Sequence, residues 1–359
     1  MGMFFEEHAK LLSDFARVSQ STGARADYVQ GGGGNTSVKL PGGLMAIKAS
    51  GFCLSDIRPD KAYAVLDGAD LRNFYLTTDP SALADVEKEG SARAKADVRH
   101  IDGLADLRPS VEAGFHSILK TFVVHTHSVY ANLAACSTAC RPIAAQAFAG
   151  ANYTWGWVPY TDPGANLTFA IRDELRRVEK KTGKVPSVIL MQNHGIIVHD
   201  DDAERCLAIH ADANERLAQQ FGIHGDSFPA ISVRQTGEEL YEADTPYLRE
   251  ALKNCRYDYK TFIETPLYPD QMVFLIGTFF MDKEGTTAEG ADTKTGALVL
   301  HMGEKKARTI TETLTAVIFI MDTITKMGYT VSTMGEAAKS FIANWESEKY
   351  RKSLAGKKG

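Results

Sequence analysis

Apolar residues recur at roughly helical spacing through Phe4, Phe5, Ala9, Leu11, Leu12, Phe15, Ala16 and Val18, which predicts an amphipathic helix over residues 4–18. The pattern then shortens. Residues 38–40 and 44–49 flank Pro41-Gly42-Gly43 and read as a hairpin, with the run Gly31-Gly32-Gly33-Gly34 lying just before it. Residues 80–100 are rich in Ala, Glu, Lys, Arg and Asp with little continuous apolar face, so an exposed helix is expected there. Helices are also predicted over 110–120, 165–181 and 202–221, separated by strand-like runs at 122–125 and 188–198. The change of composition at Gly222 to Pro229 closes a first domain, giving expected units of 1–224 and 225–359. In the second unit, 271–280 and 296–301 read as strands, and 308–326 and 334–351 as helices.

Composition narrows the class. A chain of 359 residues that is 44% hydrophobic can bury a sizeable core. The net charge of -5 gives no electrostatic reason to expect nucleic acid, and the one basic cluster, at Lys349, Arg351, Lys352, Lys357 and Lys358, reads as a solvated tail. Apolar runs are too short to span a bilayer, and no export signal is visible at the start. Five cysteines at irregular spacing (Cys53, Cys136, Cys140, Cys206, Cys255) fit free thiols, so a cytoplasmic protein without membrane partners is expected.

Chemistry enters with the histidines. In Phe122-Val-Val-His125-Thr-His127 the two imidazoles are two residues apart, so a strand would point them to one face. A third, His194, sits in a turn between two apolar runs, in Gln192-Asn193-His194-Gly195. Three such nitrogens around zinc leave a fourth position for water or substrate, the pattern of a catalytic site. Softness and geometry favour Zn²⁺ over Mn²⁺, Co²⁺ or Fe²⁺. In Pro109-Ser110-Val111-Glu112, Ser110 can cap a helix whose first turn carries Glu112, on one face with Phe115, His116 and Leu119. A carboxylate turned inward requires a partner such as a metal or histidine, whereas attraction to the helix N-terminus would account for one at the surface. Gly34 and Asn35, with Ser50, Gly51 and Ser110, offer backbone N–H groups and short polar side chains to a phosphate or carboxylate. Taken alone, four glycines more often mark a flexible surface turn, and this run is neither a dinucleotide fingerprint nor a Walker loop.

In this order the motifs resemble the class II aldolase/adducin family, which includes fuculose-phosphate and rhamnulose-phosphate aldolases. Gly34-Asn35-Thr36-Ser37 resembles its Gly-Asn-(Val/Thr)-Ser turn, Ala49-Ser50-Gly51 its Ser/Thr-Gly strand end, and Ser110-Val111-Glu112 its serine-glutamate helix start. His125-Thr126-His127 and Asn193-His194-Gly195 resemble its metal-binding pair and third histidine. Similarity is strongest over 24–221. Residues 312–354 are similar to the end of the aldolase half of bacterial rhamnulose-phosphate aldolase/dehydrogenase fusions, and 235–307 match no part of the pattern.

The resemblance implies a three-layer α/β/α fold around a largely antiparallel sheet, with a smaller C-terminal α/β portion, and a homotetramer. It implies that His125, His127 and His194 bind Zn²⁺, with Glu112 as resting-state ligand and catalytic acid/base. Gly34, Asn35, Ser50, Gly51 and Ser110 would hold the phosphate of a small sugar phosphate. The expected reaction is retro-aldol cleavage of a ketose 1-phosphate to dihydroxyacetone phosphate and an aldehyde through a metal-stabilised enediolate. Two departures stand out: Val111 replaces a second serine, and the family's tyrosine that protonates the departing aldehyde has no clear match, with Gln146, Tyr153 and Tyr160 in the corresponding region. A β-keto acid decarboxylase is the nearest rival. A sugar-phosphate 4-epimerase is disfavoured because such members carry Asp at the position of Glu112, and a non-catalytic adducin-like module has no need of three metal-competent histidines.

Overall fold

The central strand-forming runs are buried at nearly every position, with successive side chains entering two different cores, as in a sheet covered on both faces. In the computed structural model, which describes residues 3–253, 257–276, 278, 281–282 and 290–344, eight strands form the larger sheet: β1 (Asn35–Lys39), β2 (Leu44–Lys48), β3 (Tyr63–Asp67), β4 (Val98–Arg99), β5 (Phe122–Thr126), β6 (Trp155–Val158), β7 (Val188–Met191) and β8 (Gly195–Asp200). Their spatial order is β4-β3-β2-β1-β5-β8-β7-β6, antiparallel throughout except between β6 and β7.

Val38, Ala46, Val124 and Val198 face one core, and Met45, Ile47, Val123 and Ile197 the other. Each Val, Ile or Met side chain among them, fully withdrawn from water, contributes roughly 1.5–3 kcal/mol, so a one-residue slip of register would send a whole row to the wrong face. Helices Ala9–Gly23, Val129–Ala135 and Ala203–Gln219 cover the first face, and Gly68–Thr77, Ala113–Ile118 and Ala165–Thr182 the second. The result is the expected three-layer α/β/α arrangement.

The smaller sheet, of order β11-β12-β13-β10-β9, comprises β9 (Val233–Gly237), β10 (Leu240–Ala243), β11 (Met281–Asp282), β12 (Gly290–Asp292) and β13 (Leu298–His301). The helix Glu304–Lys326 packs against β9 and β10, and also against the helix Val129–Ala135. Buried without a break from Ile310 to Met321, it satisfies its own hydroxyls there, with Thr311 and Thr315 donating to the carbonyls of Ala307 and Thr311. A single cluster of buried apolar side chains runs from Leu12 and Tyr130 to Tyr268 and Leu314.

Several elements differ from the sequence expectation. The helix expected over 4–18 is two, Met3–Glu7 and Ala9–Gly23, divided at His8. The stretch 80–100 is a short turn at Pro80–Ala82, a helix Val86–Ala96 capped by Asp85, and the edge strand β4. In place of the strand expected over 271–280, residues Pro269–Leu275 form a helix, because Pro269 pre-sets the helical φ at the first position and Asp270 favours the first turn, and residues 277, 279 and 280 lie outside the described residues. Of the helix expected over 334–351, Glu336–Asn344 is observed and 345–351 lie outside the described residues.

Ser110 does not cap the helix at 110–120, which is shorter and begins at Ala113 with Glu112 as its N-cap residue. The Ser110 hydroxyl accepts instead from the Glu112 amide at 3.3 Å. A bridge between Ala49 and Pro109 holds this segment extended alongside Ser50, which delays the helix start.

Candidate active site

Register brings the distant motifs together at one end of the larger sheet. Asn35 on β1 pairs with His125 on β5, and His125 pairs in turn with Ile197 on β8. His127 follows β5 directly, and His194 lies in the turn from β7 to β8. Two backbone positions permit the convergence. A Cβ at Gly34, whose φ is +64°, would fall 2.6 Å from the His125 carbonyl, and one at Gly195 would overlap the Thr126 carbonyl. Asn193 adopts φ +51°, a left-handed conformation its type tolerates, and its amide donates at 2.8 Å to the carbonyls of both Leu267 and Ser332. The turn that presents His194 is thus pinned by the C-terminal part of the chain.

The three imidazoles are buried, with ring centroids 4.9–5.1 Å apart, and one nitrogen from each lies within 4.8 Å of the other two. Their tautomers follow from the neighbours. His125 Nδ1 donates to the Ile196 carbonyl at 3.1 Å, and His127 Nδ1 to the Asp270 carboxylate at 2.5 Å. Both Nε2 lone pairs therefore face inward, 3.1 Å apart. Two lone pairs at that distance repel unless a positive charge lies between them, so the donor set fits a cation. Burial pushes His125 down to about 4 and His194 well below its ordinary range, and the neighbouring imidazoles add to both shifts, keeping the rings in the neutral form that a cation would require.

Glu112 completes the cluster. Its Oε2 lies 3.6 Å from His125 Nε2 and its Oε1 3.4 Å from His194 Nε2. Asn35 Nδ2 donates to Oε2 at 2.6 Å and to the Ser110 hydroxyl at 3.2 Å, while Oε1 is buried without a hydrogen bond. Asn35 Oδ1 in turn accepts from His116 Nε2, so His116 Nδ1 accepts from the Ser37 hydroxyl at 2.7 Å. His116 is fully buried, and burial together with the nearby Lys39 ammonium pushes its basicity well below the usual range. A chain Ser37–His116–Asn35 thus fixes one carboxylate oxygen and leaves the other open.

The residues proposed from sequence line one opening. Gly34, Asn35, Ser50, Gly51, Ser110, Glu112, His127 and His194 all border it, and His125 sits behind as a buried floor. Lys48, at the start of the polar strand end Lys48-Ala49-Ser50-Gly51, also borders it and donates to the carbonyls of Gly32 at 3.1 Å and Phe52 at 2.8 Å, tying the glycine turn to the Ser50–Gly51 bend. Asp270 and Ile342 border it from the far end of the chain. Of the tyrosines in the expected region, Tyr153 donates to Asp212 at 2.8 Å in a separate groove. Tyr160 packs against the apolar cluster that contains Ile342. Gln146 is exposed on the helix Cys140–Ala147.

A largely antiparallel three-layer sheet with three inward histidines and one carboxylate at its end defines an α/β protein with a metal-competent centre. Residues 13–221, more than half of the sequence, match the profile of the class II aldolase and adducin N-terminal domain, and the chain belongs to that family. No curated protein matches the sequence.

Similar solved structures include the N-terminal class II aldolase domain of a conserved protein from Thermoplasma acidophilum, with 20% identity, 57% of this chain and 91% of that one covered, and a TM-score of 0.47. YgbL of Klebsiella pneumoniae, described as a candidate aldolase/epimerase/decarboxylase, shares 18% identity over 63% and 93% of the two chains, with a TM-score of 0.40. L-fuculose-1-phosphate aldolase from Thermus thermophilus shares 15% identity over 58% and 93%, with a TM-score of 0.36.

Proposed function

We propose that the chain is a metal-dependent aldolase that cleaves a ketose 1-phosphate to dihydroxyacetone phosphate and an aldehyde. One observation carries the reading: two inward Nε2 lone pairs 3.1 Å apart, beside a carboxylate with one oxygen uncommitted. His125, His127 and His194 would hold the ion, with Glu112 as a resting ligand and zinc as the favoured metal. When bound, the ion supplies Lewis-acid polarisation of the substrate carbonyl.

The remaining work falls to the chain. Glu112, whose Oε1 is free of hydrogen bonds and which borders the opening, would take or return the proton at the carbon released by cleavage. Asn35 holds the other oxygen still, which fixes the direction of that transfer. Gly34, Ser50, Gly51 and Ser110 would receive the phosphate with backbone N–H groups and short donors, Asn35 would act there through Ser110 because its two amide hydrogens go to Glu112 and Ser110, and Lys48 contributes positive charge at that end. The family resemblance extends the proposal to a homotetramer.

Metal analysis coupled to a screen of ketose phosphates and β-keto acids tests it. Bound divalent metal together with dihydroxyacetone phosphate release is the expected result. Carbon dioxide release from a β-keto acid without aldehyde formation would replace the proposal with a decarboxylase. Absence of metal in carefully purified protein would overturn both, in favour of a non-catalytic module.

A further inference from the structure

The C-terminal part of the chain reaches the metal-competent cluster through one buried carboxylate. We propose that Asp270 is a positioning residue for the ligand His127, supplied from outside the segment that matches the family profile; the inference rests on the metal reading above. Asp270 Oδ2 lies 2.5 Å from His127 Nδ1, and both side chains are buried. A carboxylate that accepts from one imidazole nitrogen fixes the tautomer and the ring plane, and makes the opposite nitrogen a stronger donor. His125 is oriented by a neutral carbonyl, whereas His127 is oriented by an anion. Together with Glu112, Asp270 brings two negative charges to the surroundings of a divalent ion, which neutralises it locally.

The placement of Asp270 is built in from both sides. Tyr268 donates its hydroxyl to Gln30 at 3.1 Å, locking the preceding segment to the glycine turn. Gln271 accepts from the Leu267 amide at 2.8 Å and donates to the Phe262 carbonyl at 2.7 Å. Between them Pro269 starts the helix, so Asp270 stands in its first turn. The glycine run also makes room, because a Cβ at Gly33 would overlap Asp270 Oδ2. One glycine of the four is therefore accounted for by this carboxylate, independently of any phosphate.

The test uses the full chain, stripped of metal and titrated with Co²⁺ while the visible d–d absorption is followed, with Zn²⁺ competition for affinity. Asp270→Ala is expected to weaken metal binding about 10- to 100-fold, the usual effect of losing such a partner. Asp270→Asn should lose less, because its amide oxygen still accepts from Nδ1, and Asp270→Glu should restore part of the affinity. Thermal unfolding of each metal-free variant separates the roles: a purely structural carboxylate would lower the unfolding midpoint and leave the affinity of the folded protein unchanged. Unchanged affinity in folded Asp270→Ala overturns the proposal, and Asp270→Asn, nearly isosteric, decides the matter if the alanine variant does not fold. Failure of the unsubstituted chain to bind Co²⁺ or Zn²⁺ would overturn the metal reading itself, an outcome distinct from equal binding by chain and variant.

Discussion

Asn35 is the side chain whose loss should be felt most widely for its size. It is buried, donates to Glu112 Oε2 at 2.6 Å and to the Ser110 hydroxyl at 3.2 Å, and accepts from His116 Nε2. Asn35→Ala removes a hydrogen bond to a charged acceptor, for which the central range is about 1.5–3 kcal/mol. It also leaves the His116 N–H buried and unpaired, which costs about 1–3 kcal/mol. Taken together, and because the two effects share a site and do not add fully, a loss of about 3–5 kcal/mol is expected. Urea unfolding of the metal-free protein measures it. The same change frees Glu112 to rotate, so kcat should fall by about 10- to 100-fold, a part of the typical acid/base contribution. Asn35→Asp is the discriminating companion: it keeps the acceptor for His116 but sets a second carboxylate against Glu112, so it should destabilise through like-charge repulsion and not through the orphaned imidazole. An alanine variant within about 0.5 kcal/mol of the parent, the range of ordinary surface substitutions, would refute the network.

Three further outcomes are expected. Glu112→Gln should keep metal bound while suppressing proton exchange into dihydroxyacetone phosphate by about 10²- to 10⁴-fold, and undiminished exchange in an isotope-labelling assay would remove Glu112 from the proton-transfer role. His125→Ala should lose bound metal on elemental analysis, since its inward Nε2, 3.1 Å from that of His127, would be one of the three donors. His199 and His210, outside the metal cluster, are each pushed by burial to about 3 from an ordinary 6.5. A lowered histidine is neutral in the fold, so its contribution is fully present above 6.5 and is lost as pH falls toward 3, at about 1.4 kcal/mol per pH unit for each ring and about 3 for the pair. Urea midpoints measured between pH 7 and pH 4 should fall accordingly, and a flat profile would contradict the burial of these rings.

The N-terminal part of this site can be read from the sequence because its determinants are local. His125 and His127 are placed by the two-residue period of a strand, and Gly34 and Gly195 by backbone crowding that only glycine relieves. Local rules misplace the short helix start, since Ser110 is held extended by the Ala49–Pro109 bridge, a pairing between segments some sixty positions apart that no local rule anticipates. Residues 271–280 mislead for another reason. A run of Met, Val, Phe, Leu and Ile fits a buried strand or a buried helix, and the deciding signal is Pro269-Asp270 just upstream.

What stays hidden is the share of the site that comes from the C-terminal part. Asp270, Glu312 and Ser332 carry no motif, and each acts across more than a hundred positions: on His127, on the Gly31 amide at 2.9 Å, and on Asn193. Their targets are the points where the N-terminal backbone is least constrained by its own sequence, namely the glycine run and the left-handed turn before His194. Four consecutive glycines have high conformational entropy, and a turn built from them would hold a phosphate only if something outside it limits that freedom. Glu312, accepting from Gly31, and Tyr268, bonded to Gln30, provide such limits at the start of the run, as Asp270 does at Gly33. Glu312 thus acts on the precision of the glycine turn and not on the metal cluster, so Glu312→Gln, which keeps an acceptor but removes the charge, should raise KM for a phosphorylated substrate while leaving the Co²⁺ spectrum unchanged. A change in that spectrum, with KM unaltered, would mean that Glu312 acts on the metal cluster instead.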